Sequence, residues 1–135
     1  METCIFCKII AGEIPCHKAF EDEHVLAFLD IHPCNPGHTL VVPKEHCETL
    51  LHTPAHVAAA MMAVVQTVAP RAIAAVGAHG FNLGVNTGPA SGQVIMHTHA
   101  HIIPRFEGDG LVHWPEKEMS EEALKIVAEK IRAAL

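Results

Sequence analysis

No apolar run in the chain approaches the roughly 18 consecutive residues needed to cross a bilayer, so a membrane-spanning protein is not expected. The opening "METCIFCKIIAGEIPC" has neither the charged start nor the long apolar core of a signal peptide. A soluble, cytoplasmic protein without a membrane partner is therefore expected. Basic residues are scarce: nine Lys and Arg stand against fifteen Asp and Glu, a formal charge of -6. That balance argues against a nucleic-acid polymer as partner, because tracking phosphates takes clustered Lys and Arg. A single small phosphate stays possible, since backbone N–H groups and imidazoles can hold one locally. There is no Walker-type GxxxxGK[ST] loop and no HExxH helix, which removes the P-loop and helical zinc-protease readings. Five cysteines make an odd number without secretory context, which excludes a disulfide framework as the organising device.

What the chain does contain fits one compact domain over residues 1–135, half of it hydrophobic. "CIFCKIIAGEIP" reads as a short helical turn closed by Gly12 and stopped by Pro15. "CHKAFEDEHVLAFLD" reads as two strands around an acidic turn, and "HTLVVP" as a third strand ended by Pro43. "IHPCNPG" between them is a loop. Thr53 followed by Pro54 should start a long alanine-rich helix, with Pro70 kinking or splitting it. "GFNLGVN" is a short strand, "TGPASG" a flexible loop, and "QVIMHTHAHII" the next strand. The tail should form an amphipathic helix over about 120–134, capped by Ser120, with Leu124, Val127, Ala128, Ile131 and Leu135 as its stripe. Strands gathered around one long helix predict an antiparallel α+β domain with a core over about 4–110.

Two patterns carry chemistry. In "IMHTHAHIIPR", His97, His99 and His101 recur at every second position, which on a strand lines one face. Such a file could chelate zinc or copper. It could equally supply a neutral imidazole nucleophile with neighbours that orient it and move protons. In a chain with twelve histidines it could also be scatter. Cys4-x-x-Cys7 could be a dithiol redox pair, half of a zinc site, or two small buried residues. The redox reading lacks a preceding strand. The zinc reading lacks a second CxxC, so histidines would have to complete it. His52, His56 and His79 read as surface or capping residues, and Met61 and Met62 as helix packing.

Three separated stretches, "CIFCKIIAGEIP", "FLDIHPCNPGHTLVVPKEH" and "GQVIMHTHAHIIPR", resemble in order the histidine triad (HIT) family of nucleotide hydrolases and transferases, the first pointing to its nucleoside phosphoramidase branch. The resemblance implies a five-stranded antiparallel sheet with one long helix and a C-terminal helix, two copies joining into a ten-stranded sheet. It implies a purine nucleotide substrate of AMP or GMP type, cleaved through a covalent nucleotide on His99, with His38, His101 and His97 completing the catalytic set. Phe6, Ile9, Ile14, Phe28, Leu29 and Ile31 would line the purine pocket, and Asp30 would bind the ribose hydroxyls. Asn86, Gly92, Gln93 and Val94 would sit on the phosphate side. Cys4, Cys7, His46 and His97 would bind a structural zinc, and the chain would be a homodimer. Dinucleoside polyphosphates are an alternative substrate class, and a mainly nucleotide-binding role an alternative function. Phosphoramidases of this family usually carry Ser after the Gly-Gln pair. Here that place is held by Val94, which cannot donate a hydrogen bond.

Overall fold

The computed structural model describes residues 3–135. In chain order the elements are α1 (Ile5–Ile10), β1 (Lys18–Glu21), β2 (Val25–Leu29), β3 (Thr39–Pro43), α2 (Ala55–Val76), β4 (Gly80–Gly84), β5 (Ala100–Arg105) and α3 (Glu121–Ala134). The strands form a five-stranded sheet in the order β1-β2-β3-β5-β4, every neighbouring pair antiparallel. The expected α+β architecture is the one observed.

Both faces of the central strands are covered, so β2 and β3 read "VLAFL" and "TLVVP" with little polar alternation. On one face Val25, Ala27, Val41, Ala100 and Ile102 pack against Met61, Val64, Val65, Val68 and Ala69 of α2. On the other, Leu26, Phe28, Leu40 and Val42 pack with Phe6 of α1 and with Ile95. Each such fully buried aliphatic or Phe side chain contributes roughly 1.5–3 kcal/mol of transfer free energy. The functional residues crowd the second face, so α1 acts as a lid over the sheet rather than a separate appendage.

Several local expectations change. Helix α2 is long and apolar enough to span a bilayer by length and composition, 22 residues at mean hydropathy 1.5, although no uninterrupted apolar run announces it. Its apolar side is the core layer just described, which accounts for that composition. Thr53 does not cap α2; its hydroxyl bonds the carbonyl of Thr49 and the hydroxyl of Thr98 instead, and Pro54 takes the N-cap position without a side-chain bond. Pro70 lies inside α2 without dividing it. It is exposed, as is Gln66 four residues earlier, so the carbonyl freed by the missing N–H sits on the outer side of the helix. Ser120 caps α3 through a bond from the Ala123 N–H, with Glu121 and Glu122 in the first turn, but Leu124, Val127, Ile131 and Leu135 face solvent.

The largest change concerns the histidine strand. β5 begins only at Ala100, so His97 and His99 precede it. The backbone beside them is engaged elsewhere: the Thr98 N–H donates to the carbonyl of Cys47 at 2.7 Å, and the Gln93 side-chain amide donates to the carbonyl of Ile95. The three rings keep to one side of the chain, where Phe6 meets both His97 and His99 edge-on and His99 packs on His101, but only His101 lies within the ladder strand.

Candidate active site and metal cluster

His97 turns to the cysteines. Its Nδ1 lies 3.4 Å from Cys4 Sγ, 3.6 Å from Cys7 Sγ and 3.2 Å from His46 Nδ1, and Cys7 Sγ is 3.3 Å from His46 Nδ1. On the far side of the ring, Nε2 sits 2.8 Å from the carbonyl of Pro43. A carbonyl only accepts, so Nε2 carries the proton and Nδ1 presents a lone pair to the cluster. The four ligand atoms lie within 4.8 Å of one another. Tetrahedral zinc with bonds of about 2.0–2.3 Å separates its ligands by about 3.3–3.8 Å, so the set fits a closed metal site. Burial, then the neighbouring Cys4, raises the Cys7 thiol above its usual range, so a bound cation would be needed to hold it as thiolate.

His99 and His101 follow along the same side, ring centroids 4.9 Å apart. His99 Nδ1 lies 2.7 Å from the carbonyl of His97 and must donate to it, which leaves the lone pair on Nε2. Burial lowers the pKa of His99, so the ring is neutral at pH 7. His101 is lowered to about 4, chiefly by burial and then by His99 and His38. His38, also lowered by burial, accepts at Nδ1 the main-chain N–H of Cys34 at 3.0 Å. Its proton therefore sits on Nε2, which is 3.0 Å from His101 Nδ1. His101 accepts there and keeps its own proton on Nε2. Backbone groups thus assign the tautomers of His99 and His38, and His38 passes the choice on to His101.

A cavity of about 480 Å³ opens beside His99 and His101, walled by Phe6, Ile9, Ile14, Phe28, Leu29 and Ile31, with Asp30, Asn86, Gly92 and Val94 also lining it. These include all the residues expected around a nucleotide except Gln93, together with Cys16, His32, Leu40 and Ile95, which the sequence did not single out. Gln93 is buried beneath the loop instead. Its amide donates to the carbonyls of Glu48 and Ile95 and accepts the Gly88 N–H, so it holds the Thr87–Gly92 turn in shape. His97 and His38 do not line this cavity. His38 borders a second one of about 510 Å³, formed with Cys34, Arg105 and the Leu111–Trp114 segment. His101 and Asn86 line both.

The loop carrying His38 is fixed by residues that sequence patterns did not reveal. Asn35 donates to the carbonyl of Pro104 and to Asp109, and Asp109 also receives two bonds from Arg105 and the N–H groups of Phe106 and Leu111. Its carboxyl is held far below the usual range, first by Arg105. Their only sequence signal was the place of Asn35 in the Pro/Asn/Gly loop; nothing marked Asp109.

The HIT domain model matches residues 11–108, most of the chain and all five strands of the sheet. The chain belongs to the HIT domain family. Among curated HIT relatives it is similar to an adenylylsulfatase HINT3 of Arabidopsis thaliana, 48% identical over 91% of this chain and 61% of that protein. The chain thus spans under two thirds of that relative. It is 39% identical to the adenosine 5′-monophosphoramidase hnt1 of Schizosaccharomyces pombe, with 98% of each covered. Among solved structures, a Streptococcus mutans protein superposes with TM-score 0.94 at 40% identity, covering 99% of this chain and 86% of that one. A zinc-bound histidine triad protein of Mycobacterium smegmatis superposes with TM-score 0.79 at 36% identity, 99% of each covered. The histidine scatter reading is thereby set aside.

Proposed function

We propose that this HIT protein is a nucleotide hydrolase that cleaves purine nucleoside 5′-phosphoramidates or related nucleotide conjugates through a covalent nucleotide on His99. One observation carries the reading: His99 commits its Nδ1 proton to the His97 carbonyl and so keeps a nucleophilic Nε2 at the wall of an apolar cavity. In this mechanism Nε2 attacks phosphorus and a nitrogen–phosphorus bond forms as the bond to the leaving amine breaks. The leaving nitrogen departs as the neutral amine after taking a proton from solvent, while the Nε2–H of His101 donates a hydrogen bond to it. Water then attacks the same phosphorus and releases a proton to solvent, and the electron pair of the broken bond returns to His99. The base would lie against Phe6, Ile9, Ile14, Phe28, Leu29 and Ile31, the ribose at Asp30, and the phosphate near Asn86, Gly92 and Val94. Relatives named for phosphoramidase and adenylylsulfatase activities support the choice.

The test is incubation with adenosine 5′-phosphoramidate and with diadenosine polyphosphates, with mass spectrometry of a quenched reaction. A nucleotide adduct on the His99 peptide, absent from His99→Ala, is expected; turnover unchanged in that variant would refute the reading. The second cavity, meeting the first at His101, has room for a nucleotide leaving group, and faster cleavage of the polyphosphates would favour that substrate class. Tight nucleotide binding with no turnover above background would instead make the chain a binding protein.

We further propose a structural zinc on Cys4, Cys7, His46 and His97, for which the donor geometry and the zinc-bound relative speak. Bound there, zinc supplies a cross-link between the start of α1 and the approach to β5, with no open position for chemistry. A homodimer is our reading of the quaternary state: β4 is an outer strand with Phe81 and Leu83 partly exposed, and edge-to-edge pairing there would give ten strands. A cytoplasmic location accords with five free cysteines among the described residues.

A further inference from the structure

The chain contains a second set of potential metal donors, Asp30, His38 and His101, whose ligand atoms also lie within 4.8 Å of one another. His38 Nε2 is 3.0 Å from His101 Nδ1 and 3.6 Å from Asp30 Oδ2. Two imidazoles and a carboxylate at these separations match neighbouring positions around a zinc-like or cobalt-like ion, which are about 3.0–3.6 Å apart. By donor type and spacing alone this is a divalent-metal site, set next to the reacting imidazole.

We infer that the main-chain N–H of Cys34 closes this second set to divalent metals, so that the chain keeps a metal-competent and a metal-excluding histidine cluster on one short segment, at His97 and His101. The reason is the number of lone pairs on a neutral imidazole, which is one. The Cys34 N–H points at His38 Nδ1 and takes that lone pair, so Nε2 holds the proton and has none to give a metal. Binding through Nε2 would move the proton to Nδ1, where two N–H groups would then face each other at 3.0 Å. The first cluster has the opposite support: an acceptor, the Pro43 carbonyl, stands behind His97, the arrangement that metal-ligating histidines ordinarily have. The Phe6 ring lies edge-on to both His97 and His99, at 5.8 and 5.0 Å, so one apolar side chain packs against both the first cluster and the reacting imidazole. The inference concerns metal occupancy and holds whichever nucleotide the enzyme cleaves.

Cobalt(II) titration separates the two clusters, because thiolate ligation gives an intense charge-transfer absorption that a nitrogen–oxygen site lacks. The wild-type chain is expected to take one equivalent with the thiolate band and no second equivalent dependent on His38. Cys34→Ala, which keeps the N–H, should behave identically. Replacing residue 34 by lactic acid, which puts an ester oxygen where the N–H was, should add a second equivalent without a thiolate band, abolished by His38→Ala. Outer-sphere partners change metal affinity by about 10–100-fold, so a gain of that size is expected. A His38-dependent second equivalent in wild type, or none gained by the ester, overturns the inference. Nitrogen-15 NMR of the wild-type protein gives an independent decision should the ester fold poorly: a proton on His38 Nε2 supports it, and one on Nδ1 refutes it.

Discussion

The Nδ1 of His99 lies 2.7 Å from the carbonyl oxygen of His97, two residues earlier in its own chain. A bend in one short segment therefore both sends His97 to the cysteines and turns its carbonyl back to orient the next histidine. The expected consequence is a single tautomer for His99, with its proton on Nδ1. Nitrogen-15 correlation spectra at neutral pH check this directly, and a mixture of tautomers would remove the basis for His99 as nucleophile.

Val94 borders the cavity and is 88% exposed, so a polar group there meets no packing obstacle. Val94→Ser should raise kcat toward adenosine 5′-phosphoramidate by about 10- to 100-fold if a hydroxyl there steadies the departing group, by analogy with other charge-stabilising donors. Steady-state kinetics decide it. Equal kcat in both proteins would show that the leaving group needs no donor from this position.

Acid should destabilise the fold through His101. Its pKa falls from about 6.5 in an unfolded chain to about 4 in the folded one, chiefly through burial. A depressed pKa means the unfolded state binds the proton first. The stabilisation is thus complete above pH 6.5 and is lost as pH falls through 4, a change on the order of 3 kcal/mol. Thermal melts from pH 7 to pH 4 should show a drop that His101→Asn makes shallower; parallel curves would contradict the burial of this ring.

Gly37 precedes His38 with φ at +86°, and a Cβ there would sit 3.0 Å from Pro104 Cγ and 3.1 Å from Val76 Cγ1. Gly37→Ala carries both a left-handed backbone penalty and a clash between the ends of α2 and β5. A loss of about 2–3 kcal/mol in denaturant unfolding is expected, with His38 displaced and turnover reduced. An unchanged midpoint would mean the loop relaxes freely, contrary to the Asn35 and Asp109 bonds that hold it.

Metal removal should loosen the N-terminal lid. Chelation is expected to lower Tm by several degrees in wild type and to leave Cys7→Ser, already lowered, where it was. Elemental analysis of protein purified without added metal should find close to one zinc per chain, and less than about half an equivalent would count against the site.

Much of this was legible before any coordinates. The strands "VLAFL" and "TLVVP", the long alanine-rich helix and the capped tail helix followed from composition and punctuation, because local propensity and burial agree there. The HxHxH and CxxC patterns also pointed to chemistry, although spacing left metal, nucleophile and scatter unresolved. Asn35, Gln93 and Asp109 were not legible in their actual roles. Asn35 and Gln93 bond backbone groups far along the chain, those of Pro104 and Glu48, Asp109 ties its own turn to the Asn35 side chain, and no local pattern marks such partners.

The sequence by itself determined which donors exist and in what order: four nitrogen and sulfur ligands for one cluster, three imidazoles for the other. Only the tertiary structure decided which nitrogen of each ring is free. That choice rests on whether a backbone carbonyl or a backbone N–H stands behind the ring, and those groups are supplied by Pro43, His97 and Cys34. A main-chain polar group is the same in every residue, so its aim is a property of the fold and is written in no side chain.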